Sequence, residues 1–466
     1  MKMENDLGRE EIKRLVIRLA VPSMLAQFVN VLYSVVDRMY IGNIPEIGET
    51  ALAGVGVSGP IVAMLLAFGH LVGIGGSPLM SIRMGEGKER EAEKILANSF
   101  LMLTVISLCV TVLLYLVKDW VLMQFGASEE IFPYADQYFT IYLMGTVFAL
   151  LALGMNQFII SQGFARIGMV SVALGAMLNI VLDPVFIFGL NMGVSGAALA
   201  TVISQLISCL YVLRFLFSRN VPVRLSFGGY EWRIMRRILA LGLTPFLIVA
   251  FDNVLIIALN TALQHWGGAD GDKLITCTTI VQSFMLMITM PLGGITGGTQ
   301  TILGYNFGAR RPDRILEAQK WIIRLAVGFN TVMFLLAQTV PQYFVYLFTT
   351  NPEYVELTVR AIRIYTLGVI PLAIQYEVVD GFTGMGIPSF AITLSMFRKF
   401  LYLASVAVLP FVCEIQNIFY AEAVSDFGGT AVSTLVYLLV IRKVLKRCKP
   451  EQAAGPGYGS RQPVSV

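Results

Sequence analysis

The chain has 466 residues and a formal net charge of +4; 56% of its residues are hydrophobic and only 14% are charged. Its mean hydropathy is +0.72, whereas a water-soluble domain usually carries about a quarter charged residues. This composition excludes an ordinary soluble domain. Because the Lys and Arg residues fall between apolar stretches, it also offers no basic patch for a nucleic-acid partner.

Twelve apolar stretches follow one another along the chain. Crossing the hydrocarbon core as a helix takes about 20 such residues. A spanning backbone must satisfy its own hydrogen bonds, and runs this long do not have the alternation of barrel strands. We therefore predict an all-α polytopic membrane protein with twelve transmembrane helices in two pseudo-symmetric six-helix lobes. Spans 1 to 6 are predicted at 15–40, 51–80, 95–117, 133–158, 169–189 and 194–217, and spans 7 to 12 at 238–263, 274–303, 318–347, 357–381, 388–411 and 416–441.

A polar, basic segment divides the spans into two sets of six. We predict an N-terminal lobe over 1–217, a cytoplasmic linker over 218–237 and a C-terminal lobe over 238–445. The remaining residues, 446–466, are polar and rich in Pro and Gly, which predicts a disordered tail.

The two lobes are related by an internal repeat. Three pairs of residues share one separation of 223 positions and occupy equivalent places in the lobes: Pro22 with Pro245, Gly75 with Gly298, and Gly85 with Gly308. Because both lobes have six spans, the repeat is parallel, with its pseudo-axis along the membrane normal. This arrangement favours alternating access to a cavity between the lobes.

The distribution of Lys and Arg predicts the orientation in the membrane. Basic residues are concentrated at the amino terminus, after span 2, in the linker, after span 8 (as in Arg310 and Arg311) and in the tail. The opposite loops contain few, chiefly Lys118 and Lys273. Cytoplasmic loops carry the excess of positive residues. We expect a multi-pass protein of the cell inner (plasma) membrane with both termini cytoplasmic.

Span 1 carries a polar face. Its residues recur every three or four positions, which places them on one side of a helix: Ser23, Gln27, Asn30, Ser34 and Asp37. A carboxylate at membrane depth costs about 2.5–3.5 kcal/mol on insertion scales, so Asp37 is a functional candidate. The alternative is that Asp37 pairs with the adjacent Arg38 at the membrane interface.

Spans 5 and 6 supply partners for Asp37. Asn179 and Asp183 are four residues apart on span 5, and span 6 has a second polar stripe that includes Thr201 and Gln205. Close like charges and desolvation both favour the neutral form of such carboxyl groups. The cluster is therefore expected to take a proton or to bind Na⁺ through its oxygens. A purely structural hydrogen-bonded cluster is the alternative.

The second lobe keeps polarity but loses this charge. At the repeat separation, Asn253 and Asn260 stand opposite Asn30 and Asp37. Glu377 and Asp380 on span 10 could attract a cation, or they could pair with the basic residues of span 11. Methionines on span 8, such as Met285, could form an adaptable binding wall because thioethers are flexible; ordinary packing is the alternative explanation for these methionines. The predicted substrate-binding residues are Gln27, Asn30, Ser34, Gln205, Asn253, Gln282, Met285 and Glu377.

Cysteine and histidine give no sign of a metal or redox site. The five cysteines show no CxxC or Cys/His spacing, and only His70 and His265 are present. No cofactor is expected, and a membrane-embedded enzyme, which would need paired Asp-rich or His motifs, is disfavoured.

Several long motifs resemble the multidrug and toxic compound extrusion (MATE) family. They are LAVPSMLAQFVNVLYSVVDRMYIG in span 1, LNIVLDPVFIFG with GVSGAALATVISQ in spans 5 and 6, and GYNFGARRPDRI after span 8. The resemblance implies two six-helix lobes around a central cleft. It also implies antiport, with efflux of cationic amphipathic drugs or toxins driven by H⁺ or Na⁺, and hence drug resistance.

The resemblance assigns the family's ion site to matching positions of this chain. Asp37, Asn179, Asp183 and Thr201 match the first-lobe ion cluster of prokaryotic members and would be the ligands if the ion is Na⁺; Tyr138 matches a span 4 tyrosine of that cluster. Some members add acidic residues in span 7 and early in span 10, where this chain has Asn253 and an apolar stretch. The departure favours the DinF-like branch.

The resemblance also implies the partners. We expect small-molecule organic cations as substrates, membrane lipid around a monomer and no nucleic acid. A lipid-linked oligosaccharide flippase of the same superfamily is the nearest alternative, and it would want a cationic cavity for pyrophosphate. The span interiors contain few basic residues, with Arg398 and Lys399 as the main reservation.

Overall fold

The computed structural model describes residues 7–125, 127–219, 221–267, 271–349 and 351–446. Over these residues the predicted all-α fold is confirmed, with twelve helices long and apolar enough to cross a membrane. The predicted disordered tail lies almost entirely outside the described residues.

Each lobe contributes six spans. The first lobe contains α1 (Ile12–Gly42), α2 (Gly48–Gly85), α3 (Glu89–Gln124), α4 (Phe132–Ile160), α5 (Ala165–Pro184) and α6 (Val194–Leu216). The second contains α7 (Trp232–Trp266), α8 (Gly271–Gly308), α9 (Pro312–Thr339), α10 (Pro341–Val345), α11 (Pro352–Tyr365), α12 (Val369–Gly384), α13 (Pro388–Val412) and α14 (Tyr420–Lys446). Helices α11 and α12 together form span 10, joined by a 3₁₀ turn over Thr366–Gly368.

Proline sets the main departure from the predicted spans. Span 9 was predicted over 318–347, but α9 ends at Thr339 and a separate short helix begins at Pro341. The prediction was wrong there because Pro341 has no N–H to continue the hydrogen-bonding ladder and restricts the residue before it. In span 5, α5 ends at Pro184 and is followed by a π-helical turn over Val185–Gly189. Such turns are frequent at functional sites.

The segment between the lobes is fixed to the first lobe. Helix α7 begins at Trp232, so the last residues of the predicted linker are helical. Before it, the Lys94 ammonium lies 2.6 Å from a Glu231 carboxylate oxygen. The Asn98 amide donates to the Gly229 carbonyl oxygen at 3.1 Å and accepts from the Glu231 N–H at 2.9 Å.

The glycines of the repeat form the contact between the lobes. A Cβ added to Gly85 would lie 1.9 Å from the carbonyl oxygen of Tyr305, and one added to Gly308 would lie 2.0 Å from that of Ile82. Ile82 and Tyr305 are themselves separated by 223 positions. The two contacts are therefore the same contact seen from either lobe. Only glycine permits the two backbones to approach so closely.

A second pair of contacts joins α2 to α7. A Cβ on Gly75 would lie 2.3 Å from the Ile238 carbonyl oxygen, and one on Gly242 would lie 1.6 Å from that of Leu71. The start of α1 also packs into the second lobe, where Leu15 and Leu19 share a core with Leu292. These contacts all lie on the side of the molecule where α1 begins and α14 ends, which is the side of the chain termini. The two lobes are therefore in contact on that side.

Candidate functional site

The predicted ion cluster assembles in the first lobe. Asp37 on α1 is 7% exposed and Asp183 on α5 is fully buried. The two carboxyl groups lie within hydrogen-bonding reach of each other. The amide of Asn179, one helical turn before Asp183, donates to an Asp183 carboxyl oxygen at 3.2 Å and to the Thr201 hydroxyl on α6 at 3.3 Å. Three helices thus bring four predicted residues together.

Several oxygens of this cluster lack a partner. Oδ1 of Asp37, Oδ2 of Asp183 and Oδ1 of Asn179 are buried and accept no hydrogen bond. Among the described residues, no basic side chain forms an ion pair with either carboxyl group, and Arg38 is exposed. The alternative that Asp37 pairs with Arg38 is therefore wrong. An uncompensated charge is costly to bury, so the unpartnered oxygens can hold a proton or a hard cation.

Two tyrosines lie close to the carboxyl pair, and a third stacks on one of them. Tyr138, the predicted member, is 8% exposed, contacts Thr201 by a hydrogen bond and stacks on Tyr142 with ring centroids 6.1 Å apart. Tyr33 on α1 is close enough to both carboxyl groups to interact electrostatically with them. Sequence reasoning missed Tyr33, although its position four residues before Asp37 places it on the same helix face.

A cavity of about 160 Å³ adjoins the cluster. It lies among α1, α2, α4, α5 and α6, and its lining includes the predicted Asn30 and Gln205 together with Asn179 and Thr201 of the ion cluster. The Gln205 amide donates to the Tyr142 hydroxyl at 3.4 Å. Substrate and ion candidates therefore share one wall. The other predicted span 1 residues, Gln27 and Ser34, are half-buried and lie outside this lining.

The second lobe has a separate cavity of about 250 Å³. The predicted Gln282 and Met285 line it, with three tyrosines and four charged side chains. Asn253 does not; its amide donates back to the Val249 carbonyl oxygen at 3.0 Å. Glu377 does not line it either, because it is 1% exposed and faces the interior of the lobe. The structure therefore does not place Glu377 at this cavity, and its role as a substrate contact stays a prediction.

The charged groups of the second cavity pair with one another. Arg398 lies 3.1 Å from a Glu422 carboxylate oxygen and 2.8 Å from one of Asp426, and Lys399 forms an ion pair with Asp252. The alternative that Glu377 and Asp380 pair with Arg398 or Lys399 is thus wrong.

The charge balance of this cavity also bears on the flippase alternative. Arg398 and Lys399, the two basic side chains, are matched by the three carboxylates of Asp252, Glu422 and Asp426. A pyrophosphate would need basic groups free to bind it. The balance therefore disfavours a cationic cavity, and with it the flippase.

Both halves of the chain match one family model. The model is described as MatE, and it matches residues 22–185 and 249–409.

Curated proteins similar to the chain include the multidrug export protein MepA of two staphylococci. The chain is 26% identical to that of Staphylococcus haemolyticus over 373 residues, which is 78% of this chain and 79% of the relative. It is 25% identical to that of Staphylococcus aureus over 371 residues, with the same coverage.

Solved structures share the fold. One is the outward-facing conformation of a multidrug resistance MATE family transporter of the MOP superfamily, with a TM-score of 0.89, 21% identity, and coverage of 96% of this chain and 100% of the other. Another is a MOP superfamily transporter from Pyrococcus furiosus, with a TM-score of 0.89, 21% identity, and coverage of 95% and 99%.

Proposed function

Because the chain belongs to the MatE family of multidrug and toxic compound extrusion proteins, we propose that it exports cationic amphipathic compounds from the cell in exchange for H⁺ or Na⁺. It is a multi-pass membrane transporter, not an enzyme. The names of its relatives, multidrug export proteins, support the export of drugs. We assign it to the DinF-like branch, with both termini in the cytoplasm.

One observation carries the proposed coupling. Asp37 and Asp183 are buried against each other, each has an unpartnered oxygen, and no basic residue of the described chain is paired with them. Two adjacent carboxylates in a site of low dielectric repel each other, and the ionised forms lose their hydration. A proton or a Na⁺ ion relieves both costs. The site therefore has a strong electrostatic reason to bind one cation.

The cavity beside the carboxyl pair allows the ion and the substrate to be exchanged. Asn179 and Thr201 belong both to the ion cluster and to the lining of the cavity. When the carboxyl groups are charged, they attract an organic cation into the cavity; when an ion neutralises them, that attraction is lost. Ion and substrate thus bind with opposing preferences, which is the differential affinity that antiport requires.

Helix α1 connects the ion site to the contact between the lobes. Asp37 lies in its second half, while Ser23, nearer the start, contacts Gly298 of α8. Pro22, next to Ser23, has no N–H to bond the carbonyl oxygen one turn earlier and allows the helix to bend near this contact. We propose that ion binding at Asp37 changes this bend, releases the substrate outside and favours the return of the empty transporter.

Transport by reconstituted protein tests the proposal. Asp37→Asn and Asp183→Asn should each abolish ethidium efflux driven by an imposed pH or Na⁺ gradient, because an amide cannot exchange the ion. The matched control is Asp119→Asn, whose side chain is 73% exposed and whose neighbour Lys118 keeps Asp136 as a partner. Driven efflux that persists in Asp37→Asn would remove Asp37 from the mechanism. The gradient that drives the native protein identifies the ion.

A further inference from the structure

A second pair of carboxyl groups lies in the C-terminal lobe, with Glu377 buried and Asp380 half-buried. Glu377 and Asp380 are three residues apart on α12 and therefore share a helix face. Glu377 is 1% exposed, and both of its carboxyl oxygens are buried without a hydrogen-bond partner. The exchange proposed for the first lobe does not use this pair.

Among the described residues, the pair has polar neighbours but forms no ion pair with a basic side chain. Asp380 accepts a hydrogen bond from the Thr296 hydroxyl on α8. Gln319 on α9 is close to Glu377 on α12. A Cβ added to Gly381 would lie 2.9 Å from the Gln319 amide nitrogen and 3.7 Å from a Glu377 carboxyl oxygen. The Gln319 amide oxygen is already occupied, because the Tyr437 hydroxyl on α14 donates to it at 2.6 Å.

The charged side chains of the neighbouring helices do not compensate the pair. Arg398 of α13 is held by Glu422 and Asp426 of α14, and Lys399 is held by Asp252 of α7. Within the described part of the chain, the titratable groups found to interact with Glu377 and Asp380 are therefore each other and the tyrosines Tyr376 and Tyr437. An ionised Glu377 would be a buried charge without hydrogen bonds or counter-ion, which is among the costliest states a side chain can adopt.

We propose that Glu377 and Asp380 form a second proton-binding site, separate from the ion site of the first lobe. A proton fits better than a metal cation, because a proton needs one oxygen whereas Na⁺ needs several. Both carboxyl oxygens of Glu377 lack a hydrogen-bond partner, and of the described polar groups nearby, the Thr296 hydroxyl donates to Asp380 and the Tyr437 hydroxyl to Gln319. On binding, the proton converts a carboxylate into a carboxylic acid; on release, it returns to water.

The position of the pair suggests when the proton leaves. Helix α8 presents Thr296 to Asp380 on one face and Gly298 to α1 on another, where an added Cβ would lie 2.4 Å from the Ser23 hydroxyl oxygen. Gly304 further along α8 lies against both Gly384 of α12 and Ser81 of α2. The pair is thus one helix away from the contact between the lobes. Separation of the lobes would admit water from the side of the termini and release the proton there.

Infrared spectroscopy tests proton binding without reference to transport. Purified wild-type protein should show the carbonyl stretch of a protonated carboxyl group that titrates with pH. Carbon-13-labelled glutamate should shift this band, which separates it from Asp37 and Asp183 without any substitution. The band should be missing from Glu377→Gln and present in Asp37→Asn and in Glu356→Gln, a matched change at an exposed position. The absence of a glutamate band in the wild type, or its survival in Glu377→Gln, overturns the proposal.

Accumulation at equilibrium tests whether the site takes part in exchange, and this second test rests on the proposed antiport. With the membrane potential held at zero, each exchanged proton contributes about tenfold accumulation of an organic cation for a pH gradient of one unit. Two sites predict roughly 100-fold accumulation by the wild type and roughly tenfold by Glu377→Gln or Asp380→Asn. Equal accumulation by wild type and Glu377→Gln, or none by the wild type, overturns a two-proton exchange.

The outcomes separate the two proposals. Driven accumulation that survives in Asp37→Asn contradicts the proposed function and leaves the glutamate band as it was. A missing glutamate band beside a normal Asp37→Asn defect contradicts only the second site.

Discussion

The two lobes share one scaffold but differ in the way their buried charges are satisfied. The interface glycines match across the repeat, and Gly85 and Gly308 make the same contact with the opposite lobe. In the first lobe, neither Asp37 nor Asp183 forms an ion pair with a basic side chain of the described residues, and each has an unpartnered oxygen. In the second lobe, the residue at the position of Asp37 is Asn260, and an ion-pair network centres on Arg398. Close packing constrains both lobes alike. The carboxylates paired with Arg398 stabilise the second lobe, whereas the carboxyl groups without a basic partner, Asp37 and Asp183 in the first lobe and Glu377 in the second, are the proposed ion-binding groups.

The largest difference is expected when a charge is removed from each lobe. Arg398→Met should destabilise the protein by about 3–5 kcal/mol, because it leaves Glu422 and Asp426 buried without their counter-ion. Asp37→Asn should leave stability unchanged or improve it, because it removes repulsion between like charges. The midpoint of thermal unfolding in detergent measures both. An equal loss of stability in the two variants would mean that the first-lobe pair is also structural.

Asn179 should matter through ion affinity. Asn179→Ala removes the amide that donates to Asp183 and Thr201, and hydrogen bonds to charged groups are worth about 1.5–3 kcal/mol. The gradient needed for half-maximal efflux should rise about tenfold or more. Gln338→Ala is the comparison variant, because it also removes a side-chain amide with two donations, to the Arg363 carbonyl oxygen and the Thr366 hydroxyl, and it should leave that gradient unchanged. An unaffected Asn179→Ala protein would place the ion elsewhere.

The interface glycines test whether the lobes contribute symmetrically. Gly85→Ala and Gly308→Ala each force a methyl group into the opposite backbone, and overpacking of this kind costs about 1–3 kcal/mol. Both should favour the conformation in which the lobes are apart on the side of the termini, and by similar amounts. Distances between spin labels on the two lobes measure the shift. Gly328→Ala, where an added Cβ meets nothing within 4 Å, is the control. Unequal shifts would show that the two halves of the interface separate at different steps.

The smallest effect is expected from the cavity of the first lobe. Gln205→Leu removes a weak hydrogen bond to Tyr142 and changes the polarity of the cavity wall, at a cost of about 0.5–1.5 kcal/mol. Ethidium should bind several-fold more weakly, measured by fluorescence anisotropy, while the gradient needed to drive efflux stays the same. Gln282→Leu makes the matched change in the cavity of the second lobe. A larger loss of ethidium affinity in Gln282→Leu than in Gln205→Leu would show that the substrate binds in the second lobe.

Local patterns predicted most of the fold and part of the site. The spans follow from hydropathy, and the ion cluster follows from polar residues that recur every three or four positions on α1 and α5. The error at span 9 is also local in origin, since Pro341 interrupts an apolar stretch that otherwise looks continuous. Within the site, Tyr33 could have been found from its spacing to Asp37. Glu377 could not, because its spacing is equally compatible with a cavity and with the interior of the lobe.

The sequence by itself determined the twelve helices, the repeat, the glycines at equivalent positions and the set of carboxyl groups at membrane depth, because each depends on residues close together in the chain or on one constant separation. Only the tertiary structure decided which carboxyl groups have partners. Lys399 reaches Asp252 across 147 positions, and Arg398 reaches Asp426 across 28. Such pairings depend on how each helix is rotated against its neighbours. Helical periodicity places a side chain on a face but does not say which helix that face will meet.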